Sequence, residues 1–251
     1  MVQQHLEDRH QLYVDLAAAF RLAAYYGLHE AIANHFSVAV NDSGKRFIIQ
    51  PVGMHFSEIK SSDLIELNVD DQNSLQSERA PDPTGWFIHA HLHQKLPQAK
   101  CIMHIHAPWS LALCCLKNFE FLMLDQNACL FHNRVAYDYE YRGMALEDSE
   151  GDRLAKLIGS DKNILMMANH GIIAIGRNIA ETFNYLYYFE RACHVQWLAM
   201  QSNQLLNEIP EAVAQKTAAE WHDYPTQKPF YELHFEAQKR MLNRLGSDYL
   251  N

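Results

Sequence analysis

Three histidines in the sequence have the spacing and surroundings of metal ligands. His104 and His106 lie two residues apart in CIMHIH, and in a β-strand this spacing places both imidazoles on one face, within reach of a single ion. His170 ends an apolar segment and precedes Gly171, which permits a sharp turn at the edge of a sheet. Three neutral imidazoles around one open position form a catalytic zinc arrangement. The pattern therefore predicts a divalent-metal site, with zinc as the first expectation and manganese or iron as alternatives.

A second histidine pair offers an alternative ligand set. His89 and His93 are four residues apart in HAHLH, the spacing that places the two histidines of HExxH on one helix face, but the intervening glutamate is missing. His89 could equally pack in the core or support a neighbouring ligand. His91 lies on the opposite face and is expected in solvent.

The composition indicates a folded chain whose partner is a small molecule or another protein. Of 251 residues, 48% are apolar and 20% are charged, which is close to the globular average. A net charge of −9 argues against nucleic acid or an anionic membrane as the main partner. No apolar run reaches the roughly 18–20 residues of a membrane span, and the first residues do not resemble a targeting peptide. Five cysteines without CxxC spacing are expected as small apolar side chains in a reducing cytoplasm.

Helices and strands alternate along the chain, and they must position these histidines. The apolar periodicity predicts strands over 36–40, 46–50, 64–70, 101–106, 163–168 and 172–176. It predicts helices from 5 to near Gly27 and over 29–34, 84–95, 146–158 and 179–206, with a further helix from Pro108. We therefore expect a single α/β domain over 1–251, built as three α/β/α layers around a mixed sheet. The tail 207–251 is expected to pack on the domain or on a neighbouring subunit.

The histidine motifs resemble those of the class II aldolase/adducin family. The resemblance is carried by HAHLHQKLPQAKCIMHIHAPWS and, some sixty residues later, by MMANHGIIAIGRNIAETF, and it extends from about Tyr13 to Met200. It implies a three-layer α/β/α fold, with His104, His106 and His170 in the places of the family's zinc histidines. It also implies a homo-oligomer, commonly a fourfold tetramer with the site near a subunit interface.

One catalytic position of the family is altered in this chain. The resemblance places the acid/base glutamate or aspartate of the family's aldolases and epimerase nineteen residues before the first zinc histidine, where this chain has Gly85. The phosphate-contacting positions of the family fall on Asn34, His35, Val52, Pro83 and Thr84. A phosphorylated sugar is therefore not the expected substrate.

Several segments are more similar to the adducin-like branch of the family. These segments are NHFS, QPVGMHFSEI, PTGWFIH and FHNRVAYDYEYRG. The head domains of cytoskeletal adducins, which belong to this branch, are regarded as noncatalytic. The three histidines are nevertheless all present here, and packing alone does not explain an imidazole cluster at a sheet edge. Their presence favours a working metal site.

The predicted function is that of a metal-dependent lyase. Its expected substrate is a small, non-phosphorylated hydroxy-carbonyl or carboxylate compound. Decarboxylation gains weight over aldol cleavage because carbon dioxide leaves without removal of a proton by a base. The resemblance brings His35 and His132 near the pocket as replacement bases, Tyr137 is a further candidate, and Arg134 could pair with a substrate carboxylate. The alternatives are a noncatalytic adducin-like binding or scaffold protein and an iron-dependent oxygenase on the same fold.

Overall fold

A seven-stranded sheet forms the centre of the computed structural model, which describes residues 2–71 and 73–251, with side chains from residue 9 onward. Its strands are β1 (His35–Ala39), β2 (Arg46–Ile49), β3 (Ile65–Asn68), β4 (Cys101–Ile105), β5 (Val135–Asp138), β6 (Ile164–Met167) and β7 (Gly171–Gly176). Their order across the sheet is β3-β2-β1-β4-β7-β6-β5. Only the β5–β6 pairing is parallel, so the described sheet is mixed, as predicted.

Helices cover both faces of the sheet. They are α1 (Val2–Tyr25), α2 (Pro83–Lys95), α3 (Pro108–Cys114), α4 (Asp148–Ile158), α5 (Ile179–Gln201), α6 (Glu211–His222) and α7 (Phe230–Arg244). Helices α1, α3, α5 and α7 bury one large apolar cluster on one face, and α2 and α4 bury a second cluster on the other. The three-layer α/β/α prediction is therefore confirmed. No helix in the described part of the chain is long and apolar enough to cross a membrane.

Strand β4 divides its side chains between the two layers. Ile102 packs in the cluster with α2 and α4, whereas Met103 packs in the cluster on the α5 side. Because side chains alternate along a strand, His104 lies on the same face as Ile102, toward α2. His35 of β1 is directly opposite His104 in the antiparallel register, so both imidazoles share that face.

Two segments differ from the sequence prediction. Residues 29–34 form turns instead of a short helix, because Ala31 has a φ of +49° and the Asn34 side chain accepts the N–H of Glu30 at 2.7 Å. Strand β5 lies within the polar segment 125–145, for which no strand was expected. Its short length and its position at the sheet edge explain why no alternating apolar pattern marks it.

Residues 207–251 fold back on the body of the same chain. Helix α7 packs beside α1 and α5 and buries Phe235 and Leu242 in the large cluster. Near the end of the chain Tyr249 is buried, and its carbonyl accepts the N–H of Ser61 at 3.0 Å. Helix α6 was not predicted and covers the 3-10 segment Ala128–Phe131. Contact of this tail with a neighbouring subunit stays a prediction.

Candidate metal centre

The three predicted ligand histidines meet at one edge of the sheet. His104 lies near the end of β4 and His106 follows that strand, and their Nε2 atoms are 2.9 Å apart. The His170 ring centroid lies 4.8 Å from that of His104 and 4.9 Å from that of His106. All three offer a ligand nitrogen within 4.8 Å of the others. The sequence prediction of a three-histidine cluster is thus matched by the geometry.

The turn between β6 and β7 brings His170 to the cluster. Asn169 has a φ of +56° and Gly171 a φ of +141°, a conformation that side chains rarely adopt. A Cβ atom at position 171 would lie 2.3 Å from the carbonyl oxygen of Ile105. Position 171 therefore requires glycine for two reasons: the backbone angle and the close approach of β7 to the end of β4.

In two of the three rings, the nitrogen that points away from the cluster donates a hydrogen bond. His104 Nδ1 donates to the carbonyl oxygen of Ile172 at 2.9 Å, and His106 Nδ1 donates to the Glu30 carboxylate at 2.6 Å. Both Nε2 atoms then carry lone pairs that face each other at 2.9 Å, an arrangement that requires a cation or a shared proton between them. A backbone carbonyl or a carboxylate behind each ligand is the usual support of metal-binding histidines. These residues therefore fit a divalent ion.

Burial keeps two of the cluster imidazoles uncharged. It lowers the pKa of His104 well below its ordinary value, and neighbouring histidines lower this pKa further. Burial, followed by the charge of His106, lowers the pKa of His170 to about 4. Metal ligation requires neutral imidazole, so both rings are in the binding form at neutral pH.

His35 lies beside the cluster and against Gly85. Its ring centroid is 4.8 Å from that of His104, and its Nε2 is 3.4 Å from Thr84 Oγ1. A Cβ atom at position 85 would lie 3.2 Å from the Cγ and Cδ2 atoms of His35, which is tighter than an ordinary contact. The imidazole of His35 therefore lies against Gly85, the position at which the resemblance places the family's acid.

The alternative pair His89 and His93 does not converge on a common ion. Ser37 Oγ lies between them, 2.5 Å from His89 Nδ1 and 2.7 Å from His93 Nε2. The remaining ring nitrogens face His35 and the carbonyl oxygen of Ala99. His91 is on the other face of α2, as expected, but it pairs with acidic residues of α4.

His132 and Arg134 lie at the other end of the sheet. They precede β5, which runs parallel to β6, whereas His170 follows the end of β6. The length of the strand, about 10 Å, separates the two ends. Arg134 Nη1 donates to Asn163 Oδ1 at 2.9 Å, and His132 contacts Glu211 of α6 at 2.8 Å. Within this chain, the expectation that these two side chains approach the metal pocket is wrong.

Tyr137 is held by structural contacts. Its hydroxyl accepts the N–H of Phe121 at 3.2 Å, and its ring stacks on Tyr139. Burial raises the pKa of this phenol to about 12. The side chain packs on the large apolar cluster and does not contact the three histidines.

Sequence reasoning missed three residues that border the centre. Glu30 supports His106, although 76 positions separate them. Tyr141 has its ring centroid 6.2 Å from that of His170, and Arg142 lines the same small pocket. Both residues follow β5. A correct prediction of that strand would have placed them at the end of the sheet that holds the three histidines, and Arg134 at the opposite end.

Comparison with known proteins assigns the family. Residues 14–197 match the family described as Class II Aldolase and Adducin N-terminal domain, and the chain belongs to this family. A Pseudomonas aeruginosa protein whose name places it among the class 2 aldolases is 33% identical over 80% of this chain and 76% of its own. Rat alpha-adducin is 30% identical over 92% of this chain, which spans only 33% of the adducin.

Solved structures share the fold over nearly the whole chain. An aldolase II superfamily protein from Pseudomonas syringae superposes with a TM-score of 0.83 and 30% identity, covering 96% of this chain and 95% of its own. An L-fuculose 1-phosphate aldolase from Glaciozyma antarctica PI12 gives a TM-score of 0.82 at 24% identity, covering 97% and 93%. The second likeness concerns the fold alone. This fold is typically divalent-metal dependent, and the chain presents a histidine set for such an ion.

Proposed function

We propose that this protein is a divalent-metal-dependent lyase that cleaves a carbon–carbon bond, by aldol-type cleavage or decarboxylation. The observation that carries the proposal is the three-histidine cluster with Ile172 and Glu30 behind two of its rings. A divalent ion held by His104, His106 and His170, zinc in the first place, would polarise a substrate carbonyl or carboxylate oxygen. The protein's own groups must then orient the substrate and handle the proton.

His35 is the proposed proton carrier. It is buried next to the cluster, and its Nε2 lies on the side of Thr84, beside the glycine that replaces the family acid. Burial lowers the pKa of His35 to about 3, against the opposing charge of Asp82, so the resting imidazole is neutral. In aldol cleavage His35 would remove the hydroxyl proton and return the same proton to the carbon left by bond cleavage, whereas after decarboxylation that carbon would take its proton from water.

A small substrate with oxygen donors and no phosphate fits the surroundings. Thr84 Oγ1, at a position that contacts phosphate in the family, donates instead to the carboxylate of Asp82 at 2.5 Å. Tyr141 and Arg142 are exposed beside His170, and Arg142 pairs there with Glu140; a substrate carboxylate would compete with Glu140 for the guanidinium. The proposed substrate is therefore a hydroxy-carbonyl compound or a hydroxy acid.

The test is turnover by the metal-loaded protein. Hydroxy acids and aldol donors with and without phosphate should be screened, and we expect product from a non-phosphorylated compound. His35→Gln should lower kcat by roughly 100-fold or more with metal retained. His10→Gln, at an exposed position of α1, should leave kcat unchanged. Metal binding without turnover on the whole panel would instead favour a noncatalytic adducin-like binding protein.

Assembly into a homotetramer is the proposed oligomeric state. Val195 and Leu198 of α5 are exposed apolar side chains, which supports a subunit contact along this helix. Light scattering that reports a monomer at micromolar concentration would contradict this assembly.

A further inference from the structure

A buried hydrogen-bond chain connects His35 to the carbonyl oxygen of Ala99, beyond the end of α2. His35 Nδ1 is 2.7 Å from His89 Nε2, and His89 Nδ1 is 2.5 Å from Ser37 Oγ. Ser37 Oγ is 2.7 Å from His93 Nε2, and His93 Nδ1 is 2.7 Å from Ala99 O. Each of the four side chains is at most 4% exposed, so water does not compete for these contacts.

The carbonyl group at one end fixes the direction of the whole chain. Ala99 O can only accept, so His93 Nδ1 carries the proton. The ring of His93 is neutral because burial lowers its pKa to about 4, and its Nε2 is therefore an acceptor. The Ser37 hydroxyl must donate its only proton to that Nε2. A lone pair of Ser37 Oγ remains, and it accepts from His89 Nδ1.

The same order of donors and acceptors continues from His89 to His35, beside the metal centre. With its proton on Nδ1, neutral His89 accepts at Nε2, and His35 Nδ1 must donate to it. The single proton of the uncharged His35 ring is then on Nδ1, and Nε2 carries none. The hydroxyl of Thr84 gives its proton to Asp82, so it donates nothing to His35 Nε2. Its oxygen is 3.4 Å from that nitrogen, a contact too long to compete for the ring proton with the 2.7 Å contact to His89.

We propose that Ser37, His89 and His93 are positioning residues that hold His35 in its Nδ1–H tautomer, with an unprotonated Nε2 beside the metal centre. A proton acceptor needs a bare nitrogen, and the opposite tautomer would present an N–H group instead. The neutral Nδ1–H form is the less common tautomer of free histidine. Three rings in this form therefore need an acceptor that fixes the direction of the hydrogen bonds, and the carbonyl oxygen of Ala99 is that acceptor. The catalytic meaning of this tautomer lock rests on the proposed function.

Neutron diffraction from deuterated, metal-free crystals measures the proton positions directly. We expect deuterium on Nδ1 and none on Nε2 in the rings of His35, His89 and His93. The Ser37 deuteron should point at His93. Deuterium on Nε2 of His35 in the parent protein would overturn the proposal, whatever the variants show.

Substitutions in the chain test the coupling between its members. Ser37→Ala should move deuterium in His35 from Nδ1 alone to a mixture of both nitrogens, because nothing then orients His89. His89→Gln should preserve the lock, since the glutamine carbonyl can accept from His35 while its amide donates to Ser37. His91→Gln, on the other face of the same helix, is the matched control. An unchanged His35 tautomer in Ser37→Ala would also overturn the proposal.

These measurements separate this inference from the proposed function. They use neither metal nor substrate, so an absence of lyase activity leaves the predicted tautomers unaltered. A wrong tautomer, conversely, would leave the three-histidine cluster and its metal binding in place.

Discussion

Glu30 is the residue on which the orientation of His106 depends. It is exposed, belongs to the turns 29–34 and donates no ligand atom itself, yet its carboxylate fixes which ring nitrogen of His106 carries the proton. No sequence pattern marks Glu30, because its role arises only when the chain folds the turn after α1 against the end of β4.

Replacing this carboxylate should weaken metal binding. Glu30→Gln retains the shape but removes the charge, and loss of such supporting groups typically costs about 10- to 100-fold in metal affinity. Competition with a zinc-binding dye measures the change. Glu78→Gln, exposed in the loop after β3, is the control and should bind as the parent does. Equal affinities for all three proteins would contradict the role of Glu30.

The close contact between Gly85 and His35 should matter for catalysis. In Gly85→Ala the new Cβ would lie 3.2 Å from the imidazole, so the ring must shift by a few tenths of an ångström. We expect kcat for the identified substrate to fall by roughly tenfold, since misplacement of a reacting group is costly. Metal content should not change. Parent-like kcat in a folded variant would show that His35 needs no such placement.

The sequence predicted the three-histidine cluster better than it predicted the side chains around it. His104, His106 and His170 could be predicted because their spacing and flanking apolar residues define strand ends. The resemblance suggested His132, and the cationic side chain suggested Arg134, but neither ground shows which end of a strand a residue occupies. The direction of β5, parallel to β6, decides that question, and it is a property of elements.

At the scale of elements, β1 and α2 form a unit around buried histidines. Strand β1 contributes His35 and Ser37 to the face that α2 covers, and α2 contributes His89 and His93 at a spacing of four residues. The ranges of β1 and α2 could be predicted from the sequence to within about two residues. Their joint polar contacts could not, since they depend on the pairing register of β1 with β4.

Burial of these histidines predicts an acid-sensitive fold. The pKa of His93 is about 4 when folded, against an ordinary value of 6.5, so the unfolded chain binds more protons between these pH values. The free energy of unfolding should therefore fall as the pH is lowered from 7 toward 4, by up to about 1.4 kcal/mol per pH unit for each such histidine.

Urea unfolding of the metal-free protein at several pH values measures this slope. His93→Gln should lower this slope by up to about 1.4 kcal/mol per pH unit, the contribution of one proton. A free energy of unfolding that is constant between pH 7 and 5, or that rises on acidification, would contradict the burial of these histidines in their neutral form.

At the scale of the whole molecule, the C-terminal tail completes the core. Helix α7 lies in the layer of α1 and α5, and Leu242 and Tyr249 belong to the large apolar cluster. The residues of α7 alternate between apolar and polar at helical spacing, but this pattern does not give the surface on which the helix packs. Sequence periodicity shows which side of a helix is apolar, and it does not show which surface covers that side.

Truncation of one buried tail side chain should destabilise the fold. Leu242 is 3% exposed, and Leu242→Ala should lower the free energy of unfolding by about 2–5 kcal/mol. Leu205 is fully exposed, and Leu205→Ala should change it by no more than about 0.5 kcal/mol. Denaturant unfolding compares the two variants. Equal stabilities would mean that the tail does not pack on the body in solution.

Elemental analysis of the purified protein, with His104→Ala, His170→Ala and the control His10→Ala, measures directly whether these histidines hold a metal ion. A metal site at these histidines predicts about one divalent ion per chain in the parent and the control, and loss of that ion in His104→Ala and His170→Ala, with circular dichroism confirming that all four proteins are folded. A folded parent that contains no metal and cannot be loaded with zinc, manganese or iron would contradict it.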